Sequence, residues 1–303
     1  MATYTYADCL ANSYKVNWRI EDVIGGQQFD LSKRWLPPQL SGADQVTCLN
    51  EEEKIKLTQV EMGAYSHIFG FVEEFIAPTI IGLAQELEAE QRDGFDALTN
   101  FAAEEIKHQA LFREVRQLVD DALGVELDLL PGQDDVAKVV MSKSVAGVLL
   151  LTEVIEWFTQ YHYVSAMKDH DSLDPFTKRI FRAHWQEESQ HALIDHLEVL
   201  RAFAKMTDAE KDQAITDLIE LVGAVDGLLQ VQAGLDVDNL EKCLGRTFSE
   251  QDRTEITDKV LAAKRYTFIE SGATHPKVQE TFTQVTTPEQ QETVGAALAP
   301  LLA

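Results

Sequence analysis

An all-α fold centred on a four-helix bundle is what this sequence predicts, and three observations carry the prediction. Apolar residues recur at helical spacing along four long stretches between residues 49 and 205. The breaks between those stretches are short and hold Gly, Pro or Asp, and little of the chain alternates as a strand does. Two of the stretches carry Glu-x-x-His, a spacing that puts both side chains on one face of a helix.

The bulk numbers allow such a fold. A chain of 303 residues with 45% hydrophobic residues can bury a sizeable core. Its formal charge of −25 argues against nucleic acid and anionic membrane surfaces as partners, because both need a basic footprint. Cys9, Cys48 and Cys243 are scattered and form no C-x-x-C, which fits a reducing compartment. The first residues show no charged-then-apolar leader pattern, and the longest apolar run, 145–151, is far short of the ~18 residues of a membrane span. A cytoplasmic protein is expected.

Residues 1–48 are expected to form an irregular arm. Gly25-Gly26, Pro37-Pro38 and Ser41-Gly42 punctuate it, and Trp18, Phe29, Trp35 and Leu36 pin it to the bundle. The bundle is expected over 49–205. Its first helix starts at Asn50, an N-cap followed by Glu51, Glu52 and Glu53, where acids suit the helix dipole. Pro78 should kink it and Asp93-Gly94 should end it. The second helix runs to Gly124, a third covers about 134–168, and Asp174-Pro175 opens a fourth over about 175–205. Residues 206–303 read as a helical extension packed on the bundle, with starts at Thr207–Glu210 and Ser249–Asp252 and a homodimer as one use for its surface.

The chemistry lies in the charged residues of the bundle. A carboxylate-bridged di-metal centre needs Glu-x-x-His on two helices and a single Glu on each of the other two. The second helix offers Glu105 and His108, and the fourth offers Glu188 and His191. On the third helix Glu156 shares its stripe with Val145, Leu149, Thr152 and Tyr163, and Glu153 becomes an outer carboxylate. On the first helix Glu73 and Glu74 are barely separated by periodicity. Glu74 is preferred because its stripe, with Val60, His67 and Phe71, holds larger inward-type residues. Glu104 is the weaker choice beside Glu105. His184 adds a third imidazole one turn before Glu188, and Asp195 is a candidate to orient a ligand histidine. One Glu-x-x-His alone is common on surface helices; two in this helix order, among apolar residues, are not. His67 reads as a core or pocket residue, and His162, His170 and His196 as surface residues or outer supports.

His184-x-x-x-Glu188-x-x-His191 after Glu105-x-x-His108, with a lone glutamate upstream of each, resembles the AurF-like p-aminobenzoate N-oxygenases over residues 50–205. The resemblance implies a ferritin-like bundle with Glu74, Glu105, His108, Glu156, His184, Glu188 and His191 as metal ligands. It also implies two iron ions, Fe/Fe before Mn/Fe, with O2 as co-substrate and a peroxo intermediate that oxidises a small organic substrate such as an aryl amine. No G-x-G-x-x-G fingerprint is present, so electrons should come from an external ferredoxin-type donor or reductase. The competing expectations are a di-iron oxidase or hydroxylase acting on carbon, a ferritin-like storage protein and a metal-dependent hydrolase.

Overall fold

The computed structural model describes residues 4–87, 91–130 and 133–302, with the backbone alone at 133–135. Three short helices, α1 (Tyr6–Val16), α2 (Ile20–Ile24) and α3 (Pro38–Ser41), lead into α4 (Glu51–Gln85), α5 (Arg92–Leu123), α6 (Gln133–Met141), α7 (Val145–Tyr161) and α8 (Pro175–Phe203). The tail contributes α9 (Asp208–Leu244), α10 (Glu250–Arg265), α11 (Ser271–Ala273), α12 (Pro276–Val285) and α13 (Pro288–Leu298). Among the described residues there is no strand, only an isolated bridge between Arg34 and Leu173.

Local chemistry explains the helix starts. Asn50 accepts from the backbone of Glu52 and Glu53 while Glu53 reaches back to Asn50, a capping box that opens α4. Asp174 caps α8 with Pro175 in the first turn, and Thr207 and Ser249 cap α9 and α10 where the sequence placed their starts. Three expectations need correction. The arm is not irregular throughout, because Thr5 and Asp8 form a capping box that nucleates α1. Asp93 and Gly94 do not break a helix but sit in the first turn of α5, where the acid suits the dipole. The third bundle helix is interrupted at 142–144, where the Ser144 side chain caps α7 and its N–H donates to Asp217 of α9. α4 runs continuously through Pro78.

α4 packs along α5, and α7 along α8, so the two pairs face each other across the bundle. α4 is long and apolar enough to cross a membrane, but most of its apolar window is buried in the bundle. One buried apolar cluster reaches from Cys9 to Val294 and so joins arm, bundle and tail. α9 lies against both α4 and α7. α10 is clipped to this assembly by the buried Lys264, whose ammonium lies 2.8 Å from both Glu61 of α4 and Asp236 of α9. α11 reaches α7 through Gly272, where a Cβ would stand 2.7 Å from the Val154 carbonyl oxygen.

Candidate metal centre

Seven acids and histidines meet where α4, α5, α7 and α8 face one another: Glu73, Glu105, His108, Glu156, His184, Glu188 and His191, all at most 2% exposed. Glu188 is the hub. Its carboxylate lies 2.6 Å from His184 Nε2, 2.7 Å from His191 Nδ1 and 2.9 Å from His108 Nδ1. Glu105 stands 2.8 Å from His191 Nδ1, and Glu73 stands 3.1 Å from His184 Nε2. Two overlapping donor groups result, Glu73–His108–His184–Glu188 and Glu105–His108–Glu188–His191, each with ligand atoms within 4.8 Å of one another. Burial raises the pKa of Glu156, which lies close enough to Glu188 and Glu105 for their charges to raise it further.

Six of the seven expected residues therefore come together, and the seventh position is corrected. Glu74 lies outside the cluster, in a polar cleft with Ser66, His67, Arg113 and Arg116, and Glu73 takes its place. The physical reason is the rotation of α4: Glu73 follows Ser66 and Gly70 on the stripe turned toward His184 and Phe112, and the larger side chains preferred from the sequence face elsewhere. Glu153 also points away from the centre, accepting a 2.5 Å hydrogen bond from Thr281 of the tail. Asp195 is buried beyond the cluster with neither carboxyl oxygen hydrogen-bonded, so it does not orient His191.

The donor set fits cations of iron or manganese type. Carboxylate and imidazole are the ligands such ions take, and two overlapping groups match a pair of ions. Several donor atoms are buried without a hydrogen-bond partner: Glu73 Oε2, both Glu105 oxygens, Glu156 Oε2, His108 Nδ1 and His184 Nδ1. The close Glu105–His191 and Glu188–His108 approaches thus lie outside hydrogen-bond geometry, as donors converging on a common point would. Without a cation the cluster is electrostatically divided. Burial and the neighbouring Glu105 charge push Glu73 well above the usual carboxylate range, and burial and Glu188 do the same to Glu156. Burial opposes ionisation of Glu188 too, yet His184, His191 and His108 hold it well below that range. Against the effect of burial, Glu188 and Glu187 hold His108 protonated well above an ordinary imidazole, and Glu188 and Glu104 do so for His191.

Two supports were missed in the sequence. Glu187 accepts from His108 Nε2 at 2.9 Å, and Glu104 accepts from His191 Nε2 at 3.0 Å. Each helix thus presents one glutamate to the centre and its neighbour to the far nitrogen of the other helix's histidine. That exchange fixes tautomer and ring direction, leaving both Nδ1 atoms aimed inward. The signal was available: both motifs read Glu-Glu-x-x-His, at 104–108 and 187–191. The arm completes the braces, with Ser13 of α1 donating to Glu104 and Lys107 pairing with Glu187. Trp18 stacks on His108 with ring centroids 5.7 Å apart, and Phe101 stacks on His191 at 3.8 Å.

His162, expected as a surface residue or an outer support, is buried. Its Nε2 donates to the Thr267 carbonyl at 2.9 Å, so its Nδ1 accepts from Tyr65 at 2.7 Å, and burial pulls its pKa down to about 3. It is a neutral tie between two π-helical segments, His162–Met167 and Tyr266–Glu270, and α4. Beside this tie, between α4, α7 and α9, lies a cavity of about 160 Å³ whose described wall residues are all apolar. A second cavity of about 80 Å³ under α12 and α13 shares Leu151, Val225 and Phe268 with it.

The bundle and its donor set define a class, the helical proteins with a buried carboxylate–histidine di-metal centre. Residues 12–224 match the family described as p-aminobenzoate N-oxygenase AurF, more than half of the chain, and the chain belongs to that family. It is a di-metal oxidoreductase with an all-α fold. Similar solved structures include a point mutant of an R2-like ligand-binding oxidase with anaerobically reconstituted Mn/Fe cofactor, at 16% identity and TM-score 0.47, covering 86% of this chain and 93% of that one. A different point mutant of an R2-like ligand-binding oxidase, with aerobically reconstituted Mn/Fe cofactor, matches at 15% identity and TM-score 0.47 with the same coverage. No curated protein matches the chain.

Proposed function

We propose that this protein is an O2-dependent oxygenase of small organic molecules, working with two iron ions or a Mn/Fe pair held by Glu73, Glu105, His108, Glu156, His184, Glu188 and His191. The observation that carries the reading is the pair of overlapping donor groups that share Glu188 and His108. When bound, the metal pair supplies the redox chemistry with O2, which no side chain can provide. The chain's own residues do the rest. Glu104 and Glu187 hold both imidazoles in one orientation, Glu188 spans the two groups, and the aromatic rings of Phe69, Phe101 and Phe112 around the histidines exclude water.

Membership of a family named for N-oxygenation supports an amine as the oxidised group. Oxidation at carbon is favoured by a different observation, the uniformly apolar chamber beside the centre. Electrons come from an external ferredoxin-type donor or reductase in this reading, and the scattered free thiols of Cys9, Cys48 and Cys243 support a cytoplasmic setting. The test is single-turnover oxygen uptake by anaerobically reduced, iron-loaded protein given a panel of aryl amines and apolar compounds. Substrate-linked uptake with an oxygenated product is expected. Uptake unchanged by every compound, or turnover without O2 and reductant, would overturn it.

A further inference from the structure

We propose that the apolar chamber between α4, α7 and α9 is the substrate chamber and that its occupant is an uncharged hydrocarbon chain, not a charged aryl acid; this deepens the oxygenase reading and rests on it. All of the lining residues are apolar. α4 and α7 are the helices that bring Glu73 and Glu156 to the centre, and the adjacent residues Val72 and Ile155 form part of the chamber wall. The chamber therefore stands against the lone-glutamate side of the donor cluster, the side without cross-bracing histidines. Ligand pockets generally have apolar walls, but most add a few polar groups to orient a polar ligand. Among the described residues none lines this chamber, so a carboxylate such as that of p-aminobenzoate would be buried there without a partner.

The shape favours a chain over a compact ring. Phe268, in the π-helical segment Tyr266–Glu270, lines both this chamber and the second one together with Leu151 and Val225, so the two adjoin. Among the described wall residues of the pair the polar ones are Glu153 and Gln279 of the second chamber, at which a single hydroxyl or similar end could sit. The entrance lies between α6 and α9. Val139 and Ala224 line the chamber yet are exposed, and Val136, Val139 and Val140 give α6 an apolar face toward it.

The test is calorimetric titration of the metal-loaded full chain with octanol, dodecanol and p-aminobenzoate, alongside oxygen uptake with each. Dodecanol is expected to bind at least about tenfold more tightly than octanol, since each added methylene is buried, and p-aminobenzoate at least about tenfold more weakly than dodecanol. Ala224→Trp at the mouth should lower dodecanol affinity at least about tenfold with metal content unchanged. If that variant misfolds, Val139→Asp serves the same purpose. Affinity independent of chain length, no effect of either variant, or p-aminobenzoate binding that Arg116→Gln abolishes would overturn the assignment, the last by moving the substrate to the cleft with Glu74. Alcohol binding without substrate-linked oxygen uptake would leave the chamber standing and sink the oxygenase reading. Uptake driven by p-aminobenzoate with no alcohol binding would do the reverse.

Discussion

The two halves of the bundle handle charge in opposite ways. On the α5–α8 side both histidines of the Glu-Glu-x-x-His motifs are held by the other helix's outer glutamate, with Ser13 and Lys107 behind them. On the α4–α7 side Glu73 and Glu156 arrive singly, with no outer glutamate beside them, and the space next to their helices is an apolar chamber. The braced side fixes ligand geometry in advance. The other side brings in its glutamates without such supports, beside the apolar chamber. Rigid support and access are divided between helices.

Breaking the hub should have the largest effect. Glu188→Ala removes the carboxylate common to both donor groups, and metal affinity should fall at least about 100-fold, beyond what loss of an outer support causes. Chelator competition followed by metal analysis of the isolated chain measures this. On the unbraced side the contrast is sharper still within one helix. Glu73→Ala should lose one of the two metals, whereas Glu74→Ala should keep both; equal stoichiometry in the two variants would return the first-helix position to doubt.

Acidity cuts across the two halves. Glu73, Glu105 and Glu156 are all pushed upward by burial and neighbouring acids, so cations compete with protons for them. Apparent metal affinity should rise by more than about tenfold per pH unit around neutrality, with protons released into a weakly buffered indicator solution. The metal-free chain should respond in the opposite direction. His108 and His191 are held above the ordinary 6.5, so their stabilisation is complete below that value and lost as pH rises through the raised values. Glu188 acts with the other sign: its contribution is present above 4.5 and lost as pH falls through its depressed value. Melting of the metal-free chain should therefore weaken as pH rises above 6.5, while the loaded chain changes less.

The braces should give an intermediate effect. Glu104→Gln or Glu187→Gln keeps the shape but removes the charge on an imidazole's far nitrogen, and about 10–100-fold in metal affinity should be lost. Asp195→Asn, which has no such contact, should lose little. Smallest is the docking of the tail: Gly272→Val forces a side chain against the Val154 backbone and should cost about 1–3 kcal/mol in denaturant unfolding, with metal content retained.

Much of the centre was legible because a helix converts spacing into direction. Glu105 with His108, and His184 with Glu188 and His191, had to share faces once their segments were helical, and the capping residues Asn50, Asp174 and Thr207 marked where α4, α8 and α9 start. Glu73 was misjudged because stripes from neighbouring helical positions differ only in side-chain size, and size does not say which stripe faces a metal. The split of the third helix was hidden in Ser142–Ser144, ordinary residues until Asp217 of a distant helix offers Ser144 a hydrogen-bond partner.

Taken alone, the amino-acid order determined the all-α class, the four long bundle segments and the residue types able to hold two metals, because periodicity and capping act within a few residues. Tertiary structure decided the rest: which of Glu73 and Glu74 turns inward, how Glu104 and Glu187 exchange histidines, and where α9 and the tail leave an apolar chamber. Those outcomes depend on helix rotation and on contacts between residues a hundred or more positions apart in some cases, and no local pattern encodes either.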